Sequence, residues 1–335
     1  MVATVVGHVV PLVGAAVPGA VIGVTVAVAL TVAGGSAALR ARLAPGLKVA
    51  SSRLLQCSVV ILGAQLSLSE AARVGLSSLP VMLGTLAVCL GAAVVYGRLL
   101  GVVGDLRTLI GVGTGICGAS AIAAVTPVIE ASSTDVAYAV STIFLFNIAA
   151  VLAFPLLGHA LGMSQHAFGL FAGTAVNDTS SVVATATTYG NSAASYAVVV
   201  KLVRTLMIIP ICVALGALTA RRKGTATAGT EAVAATAPAA PMSVRKAARL
   251  VPWFLIGFVV MAAANSAGLI PATWHGALSE VSLFLVAMAL SAIGLSTDVS
   301  ALRRAGAKPL LLGALLWVTV TAASLGLQLL TGSLH

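Results

Sequence analysis

Charged and aromatic side chains are scarce in this sequence of 335 residues. Only 8% of the residues are charged and 4% are aromatic, whereas soluble domains carry about 25% charged residues. The mean hydropathy is +1.11, which excludes an ordinary soluble domain. The many long apolar segments predict an all-α membrane protein rather than a barrel. Since aromatics are so few, alanine, glycine and valine must pack these helices.

Catalytic and metal-binding motifs are also missing. The sequence has no HExxH, no CxxC, no phosphate loop after a strand and no nucleophile–base arrangement. Its cysteines lie in apolar segments without metal-ligand or disulfide spacing. We therefore expect no enzyme, no cofactor and no metal. No basic region precedes the first apolar segment, so we expect no cleavable signal peptide. The cysteines are Cys57, Cys89, Cys117 and Cys212.

Ten apolar segments are candidate transmembrane spans within one transporter domain, residues 1–335. The second is short, and we expect it to extend toward Ser51 or Glu70. A stretch rich in Ala, Thr, Gly and Pro predicts a flexible cytoplasmic linker over residues 220–248, between spans seven and eight. The spans are Val9–Ala33, Leu54–Leu68, Leu79–Leu100, Thr108–Ile129, Val136–Leu157, Ala167–Thr188, Ala194–Leu218, Val251–Leu269, Leu278–Leu295 and Pro309–Leu330.

The net charge is +10. The basic residues are distributed as in a membrane protein rather than as in a nucleic-acid-binding protein. With ten crossings, 15 of the 18 basic residues fall in odd-numbered connections. We therefore expect these connections in the cytoplasm and both termini outside. The even-numbered, outer connections carry Glu130, Asp135, Glu280 and one exception, Arg73. The fifth connection has neither Lys nor Arg and gives no support.

Two polar runs interrupt the apolar segments, Gly113–Ile122 and Gly173–Ser181. A shift of 60 residues aligns their Gly-Thr pairs, an aliphatic residue and a serine. Two such interruptions predict two broken helices at mid-membrane that expose backbone groups to a ligand. The alternative is close packing of small residues, but packing does not require Asn177 and Asp178.

A second similarity, between Leu66–Gly84 and Leu295–Gly313, joins spans that cross in opposite directions and predicts an inverted repeat. The 60-residue similarity instead joins spans four and six, which run the same way in a ten-span topology. An inverted repeat does not account for that pair.

Three charged residues lie deep in the predicted spans. Asp178 and Arg204 lie at nearly the same depth, about 15 Å in, and Lys201 shares a helix face with Arg204. Two cations for one carboxylate favour an anion site, with Asp178 as the proton-coupling residue. The alternative is a permanent Asp178–Arg204 pair that only joins two helices. Desolvation should favour neutral Asp178, while the two cations oppose this.

The candidate substrate-binding residues combine these cations with the polar runs. For Cys117 alone we favour packing, because a thiol is a poor donor to an oxyanion. Asn147 and Asn265 are interpreted as interhelical hydrogen-bond partners. The candidates are Thr114, Cys117, Gly118, Ser120, Thr174, Asn177, Thr179, Ser180, Ser181, Lys201 and Arg204.

Four stretches carry a resemblance to a known family: Ile116–Ile122, Thr174–Val183, Lys201–Met207 and Ala301–Leu310. From about Pro11 to about Leu330, the sequence resembles the sulfate exporter family of YeiH-like bacterial inner-membrane proteins. The resemblance implies a multi-pass transporter related to the cation:proton antiporter and anion transporter folds, with an inverted repeat and crossed broken helices. Two departures are visible. Family members often have a further N-terminal span, and some carry His-Glu in place of Asn177-Asp178.

The sequence thus predicts a plasma-membrane secondary transporter, in the exporting direction, of a small anion such as sulfate or an organic sulfonate, with proton coupling left open. The alternatives are a passive anion channel and a cation:proton antiporter-like exchanger. A channel should show a continuous polar stripe along a helix, whereas the polar residues here cluster at one depth. We expect the small anion and the bilayer as partners, and no nucleic acid. The sequence leaves open whether the chain forms a homo-oligomer.

Overall fold

The computed structural model describes residues 42, 45–47, 49–227, 253–295 and 306–334. These residues form helices and no strands, so the predicted all-α membrane protein is confirmed. The predicted span Val9–Ala33 and most of the predicted linker lie outside them. The helices are α1 (Leu55–Leu62), α2 (Leu68–Leu100), α3 (Gly104–Gly115), α4 (Ala119–Ile129), α5 (Ser133–Ala160), α6 (Gln165–Ala175), α7 (Thr179–Tyr189), α8 (Asn191–Leu206), α9 (Ile208–Thr227), α10 (Trp253–Ser266), α11 (Ala272–Leu295) and α12 (Ala307–Leu330).

Short polar residues decide where several helices begin. A π-helical turn from Ala50 precedes α1, so span two extends toward Ser51, one of the two expected directions. Helix α2 begins at Leu68, eleven residues before the predicted span, because Ser67 and Glu70 form a capping box. Glu70 and Arg73 therefore lie in a helix rather than in a connection. Helix α9 continues to Thr227, so the first part of the predicted linker is helical.

Four segments of the described chain are long and apolar enough to cross a membrane on their own: Leu68–Leu100, Ser133–Ala160, Asn191–Thr219 and Ala307–Leu330. The third joins α8 to α9 across a short irregularity at Met207. At 1.5 Å per residue each exceeds the roughly 30 Å of a bilayer core. These four helices are the frame into which the shorter helices fit.

Contacts between the helices give the molecule two ends, named here end A and end B. Helix α2 begins at end B and finishes at end A, and α12 runs antiparallel to it. A Cβ placed on Gly84 would lie 2.6 Å from Cδ1 of Leu327, and one on Gly101 would lie 3.8 Å from Nζ of Lys308. Helix α8 also begins at end B, because the hydroxyl of its Tyr196 lies 3.5 Å from that of Ser77, near the start of α2.

Helices α6 and α7 form a hairpin, named hairpin 2, that enters and leaves at end B. The ring of Tyr189, the last residue of α7, stacks on Phe168 near the start of α6, with centroids 3.8 Å apart. The same ring stacks on His159 near the end of α5 at 4.4 Å. Gln165 Oε1 accepts from the N–H of Ser192 at the start of α8, at 3.1 Å. The end of α5, both ends of hairpin 2 and the start of α8 therefore lie together.

Helices α3 and α4 form the corresponding hairpin 1 at end A. Helix α3 follows the end of α2 after residues 101–103 and returns along it, so that a Cβ on Gly111 would lie 2.7 Å from the Cβ of Ala93. Helix α4 ends just before residues 130–132, which lead into α5. Since α5 has 28 residues and finishes at end B, it begins at end A, and so α4 ends there.

The two predicted broken helices are confirmed, but each break turns the chain back. Spans four and six are therefore re-entrant hairpins rather than crossings. Helix α5 crosses once between the two hairpins, so hairpin 1 enters from end A and hairpin 2 enters from end B. The 60-residue similarity therefore relates two hairpins of opposite orientation. Glu130 and Asp135, predicted on the side opposite to Arg98 and Arg107, lie with them at end A. The fifth connection, without Lys or Arg, lies at end B.

Small residues let α6 and α8 approach closely, as the shortage of aromatics predicted. A Cβ on Gly169 would lie 2.9 Å from the carbonyl oxygen of Ala193, and one on Gly173 would lie 2.7 Å from the Cβ of Val200. Because these contacts advance together along both chains, α6 and α8 run in parallel. This packing brings the middle of α8 to the turn of hairpin 2.

Candidate functional site: the two hairpin tips

The tips of the two hairpins, Ile116–Gly118 and Val176–Asp178, meet at the middle of the molecule. A Cβ placed on Gly118 would lie 3.1 Å from the Cβ and 3.3 Å from the Cα of Asp178. Gly118 has φ of 69° and ψ of −132°, a region that only glycine occupies without strain. Glycine is therefore required here both by the turn and by the close approach of the second tip.

The side chain of Lys201, on α8, forms hydrogen bonds to both tips. It is fully buried, and its Nζ donates to the carbonyl oxygens of Ile116 at 2.6 Å and Val176 at 2.9 Å. These carbonyls follow the ends of α3 and α6, where partial negative charge accumulates and no intrahelical donor remains. One ammonium group therefore stabilises both turns.

Arg204, one turn further along α8, repeats this arrangement. Its Nε donates to Gly115 O at 2.6 Å, and Nη1 donates to Thr174 O. A longer contact of 3.5 Å joins Nη2 to Thr114 O. The guanidinium is fully buried, and its hydrogen bonds are to backbone carbonyls of both hairpins. Arg204 and Asp178 therefore do not form the direct pair considered above. The prediction that Lys201 or Arg204 contacts the substrate directly stays a prediction.

Asp178 begins α7 and caps it. Its Oδ2 accepts from the N–H of Ser180 at 3.0 Å and from the Ser180 hydroxyl. Its own N–H donates to Oδ1 of Asn147, in the middle of α5, at 3.3 Å. The interpretation of Asn147 as an interhelical partner is confirmed. Nδ2 of Asn265 on α10 donates to the carbonyl oxygen of Leu66, which lies just before α2, at 3.2 Å.

Hairpin 1 has no such cap. The 60-residue shift places Gly118 opposite Asp178 and Ser120 opposite Ser180. Gly118 has no side chain to accept from the first turn of α4, and no other side chain caps that helix. Ala119 and Ser120 are exposed. The N-terminal N–H groups of α4, which carry partial positive charge, therefore have no side-chain acceptor from a cap.

The predicted site residues divide by accessibility. Ser120 is exposed, and Asp178, Thr179 and Ser180 are half-buried. The remaining candidates are buried; the hydroxyl of Thr174, for example, bonds with that of Ser324 on α12 at 2.7 Å. The buried candidates are Thr114, Cys117, Gly118, Thr174, Asn177, Ser181, Lys201 and Arg204. Oδ1 of Asn177 has no hydrogen-bond partner among the described residues.

Sequence reasoning found the polar side chains but missed the groups that Lys201 and Arg204 hold. Those groups are backbone carbonyls, which every residue carries, so residue identity could not reveal them. The signal that was present is the 60-residue similarity, because two helices that break at matching positions each leave carbonyl groups that need donors. No group of His, Cys, Asp and Glu residues suited to a metal ion occurs in the described part of the chain.

A family model described as conserved hypothetical protein 698 matches residues 1–313. A UPF0324 membrane protein of Clostridium tetani is 38% identical over 288 residues, covering 86% of this chain and 83% of the relative. One of Streptococcus pneumoniae is 40% identical over 296 residues, covering 87% and 84%. One of Streptococcus agalactiae is 41% identical over 293 residues, covering 86% and 83%. No solved structure matches the chain.

Proposed function

Because the chain belongs to the conserved hypothetical protein 698 family of membrane proteins, we propose that it is a secondary transporter of a small anion. The observation that carries this proposal is the meeting of two oppositely inserted hairpins at their tips, where the start of α4 has no side-chain cap. Non-helical backbone at membrane depth is tolerated where it lines a cavity, and broken helices at mid-depth build transporter sites.

The charge of the backbone at the tips favours an anion over a cation. The carbonyl oxygens that would coordinate a cation already accept from Lys201 and Arg204. What remains open at α4 is the N-terminal end of a helix, which attracts anions. A cation:proton exchanger draws support from the half-buried carboxylate of Asp178, but that carboxylate already accepts hydrogen bonds from Ser180.

A passive channel is disfavoured by the contact between the tips. Gly118 and Asp178 approach so closely that a single Cβ would lie 3.1 Å from its neighbour. A pore needs a continuous path lined with polar groups, and this contact closes such a path at the tips. The arrangement suits a site that is reached from one side at a time.

End A faces the cytoplasm in this proposal, because Arg98, Arg107 and Lys308 lie there. The C-terminal end of α12 then lies outside. Sulfate and organic sulfonates are the substrates that the resemblance implies, outward transport is the implied direction, and Asp178 is the proposed proton-coupling group.

The test is transport by the purified chain in proteoliposomes with labelled sulfate, a labelled sulfonate and labelled carboxylates, with and without a pH gradient. We expect saturable uptake that is accelerated by unlabelled substrate inside the vesicles. Empty vesicles of the same lipid are the control. Conductive flux that never saturates would establish the channel instead, and the absence of transport for every anion would contradict the proposal.

A further inference from the structure

Three basic residues lie around the last turn of α2, at end A. The stem of Arg107 on α3 lies across Gly97, because a Cβ placed on that glycine would lie 2.6 Å from Cγ of Arg107. A Cβ placed on Gly101, four residues further along, would lie 3.8 Å from Nζ of Lys308 on α12. Arg98 is exposed on the same turn of α2. Two antiparallel spans and the start of hairpin 1 therefore each contribute a positive charge here.

These cations have no acceptor within the described part of the chain, either in a hydrogen bond or in an ion pair. Two of the last carbonyls of α2, those of Gly97 and Arg98, already accept from the N–H groups of Val102 and Gly101. Arg107 is half-buried, and its guanidinium carries five N–H donors. Donors that have partly left water are normally paired, so this place is suited to an acceptor from outside the chain.

The surface beside the cations is apolar. Val94 and Val95, four and three residues before Arg98, are exposed on the same face of α2. On α12, Leu311 is exposed three residues after Lys308. Both helices are long and apolar enough to cross the membrane, so lipid chains cover these faces. Each apolar face therefore ends at a cation where the membrane interface begins.

A phospholipid matches both parts of this surface. Its chains suit the apolar faces, and its phosphate suits arginine, whose planar fork binds phosphate oxygens in pairs. Asp105 in the first turn of α3 offsets one of the three cations, which leaves a surplus of two positive charges. A headgroup with net negative charge complements that surplus better than a zwitterionic one, and basic places between membrane helices are known to hold anionic headgroups.

We propose that an anionic phospholipid binds at the end of α2. Its phosphate accepts from Arg98, Arg107 and Lys308, and its chains lie along α2 and α12. Because Arg107 belongs to hairpin 1 while the other two cations belong to membrane-crossing helices, the lipid connects hairpin 1 to these helices at end A. This inference depends on the membrane location of the chain and not on which anion it transports.

The first experiment is a calorimetric titration of the full-length protein in neutral detergent. The probes are dioctanoyl phosphatidylglycerol, dioctanoyl phosphatidylcholine and glycerol 3-phosphate. We expect phosphatidylglycerol to bind about thirty-fold more tightly than phosphatidylcholine, since each of two surplus cations contributes roughly five-fold. Equal binding of the two lipids would overturn the inference. Glycerol 3-phosphate lacks the chains and should bind more weakly than the anionic lipid; equal or tighter binding would identify a soluble phosphate as the ligand instead.

The second experiment removes the cations. Arg98→Gln and Lys308→Gln should each weaken phosphatidylglycerol binding about five-fold, and the double variant about thirty-fold. Both side chains are exposed, so these variants keep the fold. Arg73→Gln is the matched control, because Arg73 is an exposed arginine at the opposite end of the same helix. An equal loss in Arg73→Gln would mean that the lipid responds to total charge and not to this place.

The remaining explanation is that the cations only offset the partial negative charge at the end of α2. The thermal midpoint of the double variant in lipid-free detergent separates the two roles. We expect it to equal that of the parent while the preference for phosphatidylglycerol is lost. A lowered midpoint with an unchanged lipid preference would establish the helix-end role and overturn the lipid site. Anion transport by the parent protein stands or fails independently in the vesicle assay.

Discussion

Hairpin 1 and hairpin 2 differ most at the residue that begins their second helix. Both turn at mid-depth, and both have their carbonyls held by Lys201 and Arg204. Hairpin 2 then caps α7 with Asp178, whereas hairpin 1 leaves α4 uncapped at Gly118. The comparison teaches that the same two cations support both turns, and that hairpin 1 keeps a glycine where Asp178 of hairpin 2 approaches it.

The largest effect should come from labelling the two ends of the molecule. In a background with the exposed Cys57 changed to alanine, an impermeant thiol reagent should label Leu161→Cys from outside intact cells. It should reach Thr134→Cys only after the cells are permeabilised. Both residues are exposed; Thr134 follows hairpin 1, and Leu161 precedes hairpin 2. A ten-crossing topology requires the opposite result, so the pair decides whether the hairpins are re-entrant.

Removing the shared support should damage both hairpins at once. Arg204→Ala leaves the carbonyls of Gly115 and Thr174 without donors in a buried place, at a cost of about 3 kcal/mol or more. We expect a clear fall in the thermal midpoint of the purified protein and no transport. Arg98→Ala, an exposed arginine at end A, is the control. A midpoint equal to that of the parent would show that the carbonyls do not depend on this guanidinium.

Equivalent glycines should respond differently in the two hairpins. In Gly173→Ala the new Cβ would lie 2.7 Å from the Cβ of Val200 and 3.0 Å from Ala197 O, so backbone must shift, at about 2 kcal/mol. In Gly113→Ala the nearest atom is Cδ1 of Ile143, the end of a flexible side chain, and we expect a smaller loss. The two unfolding midpoints test this order, and equal losses would contradict it.

The smallest effect on stability should come from Asp178→Asn. Asparagine also caps a helix, so the folded state should change by about 1 kcal/mol or less. The variant no longer titrates, and we expect it to retain substrate exchange while losing any acceleration by a pH gradient. Transport at matched and mismatched pH is the measurement. A variant that responds to the gradient as the parent does would exclude Asp178 as the proton carrier.

Most helices could be predicted from the sequence, because apolar length and caps such as Ser67 are local signals. The re-entrant course of the two hairpins could not be predicted. Residues 104–129 are long enough to cross a bilayer, and the backbone of Gly118 turns them back. The facing tips were predicted as polar runs, yet the donors of Lys201 and Arg204 bind carbonyls, which no residue type reports. Asp178 and Arg204 were singled out by their predicted depth, and depth along separate helices did not establish whether they touch.

The hydrogen bonds of Lys201 and Arg204 also set an order for biosynthesis. Lys201 lies 85 residues after Ile116, and Arg204 lies 89 after Gly115. When hairpin 1 leaves the ribosome, the donors for its carbonyls have therefore not been made. Hairpin 1 can complete its turn in the membrane only after α8 has been synthesised. Until then the nascent chain must keep this hairpin in contact with water or with the insertion machinery.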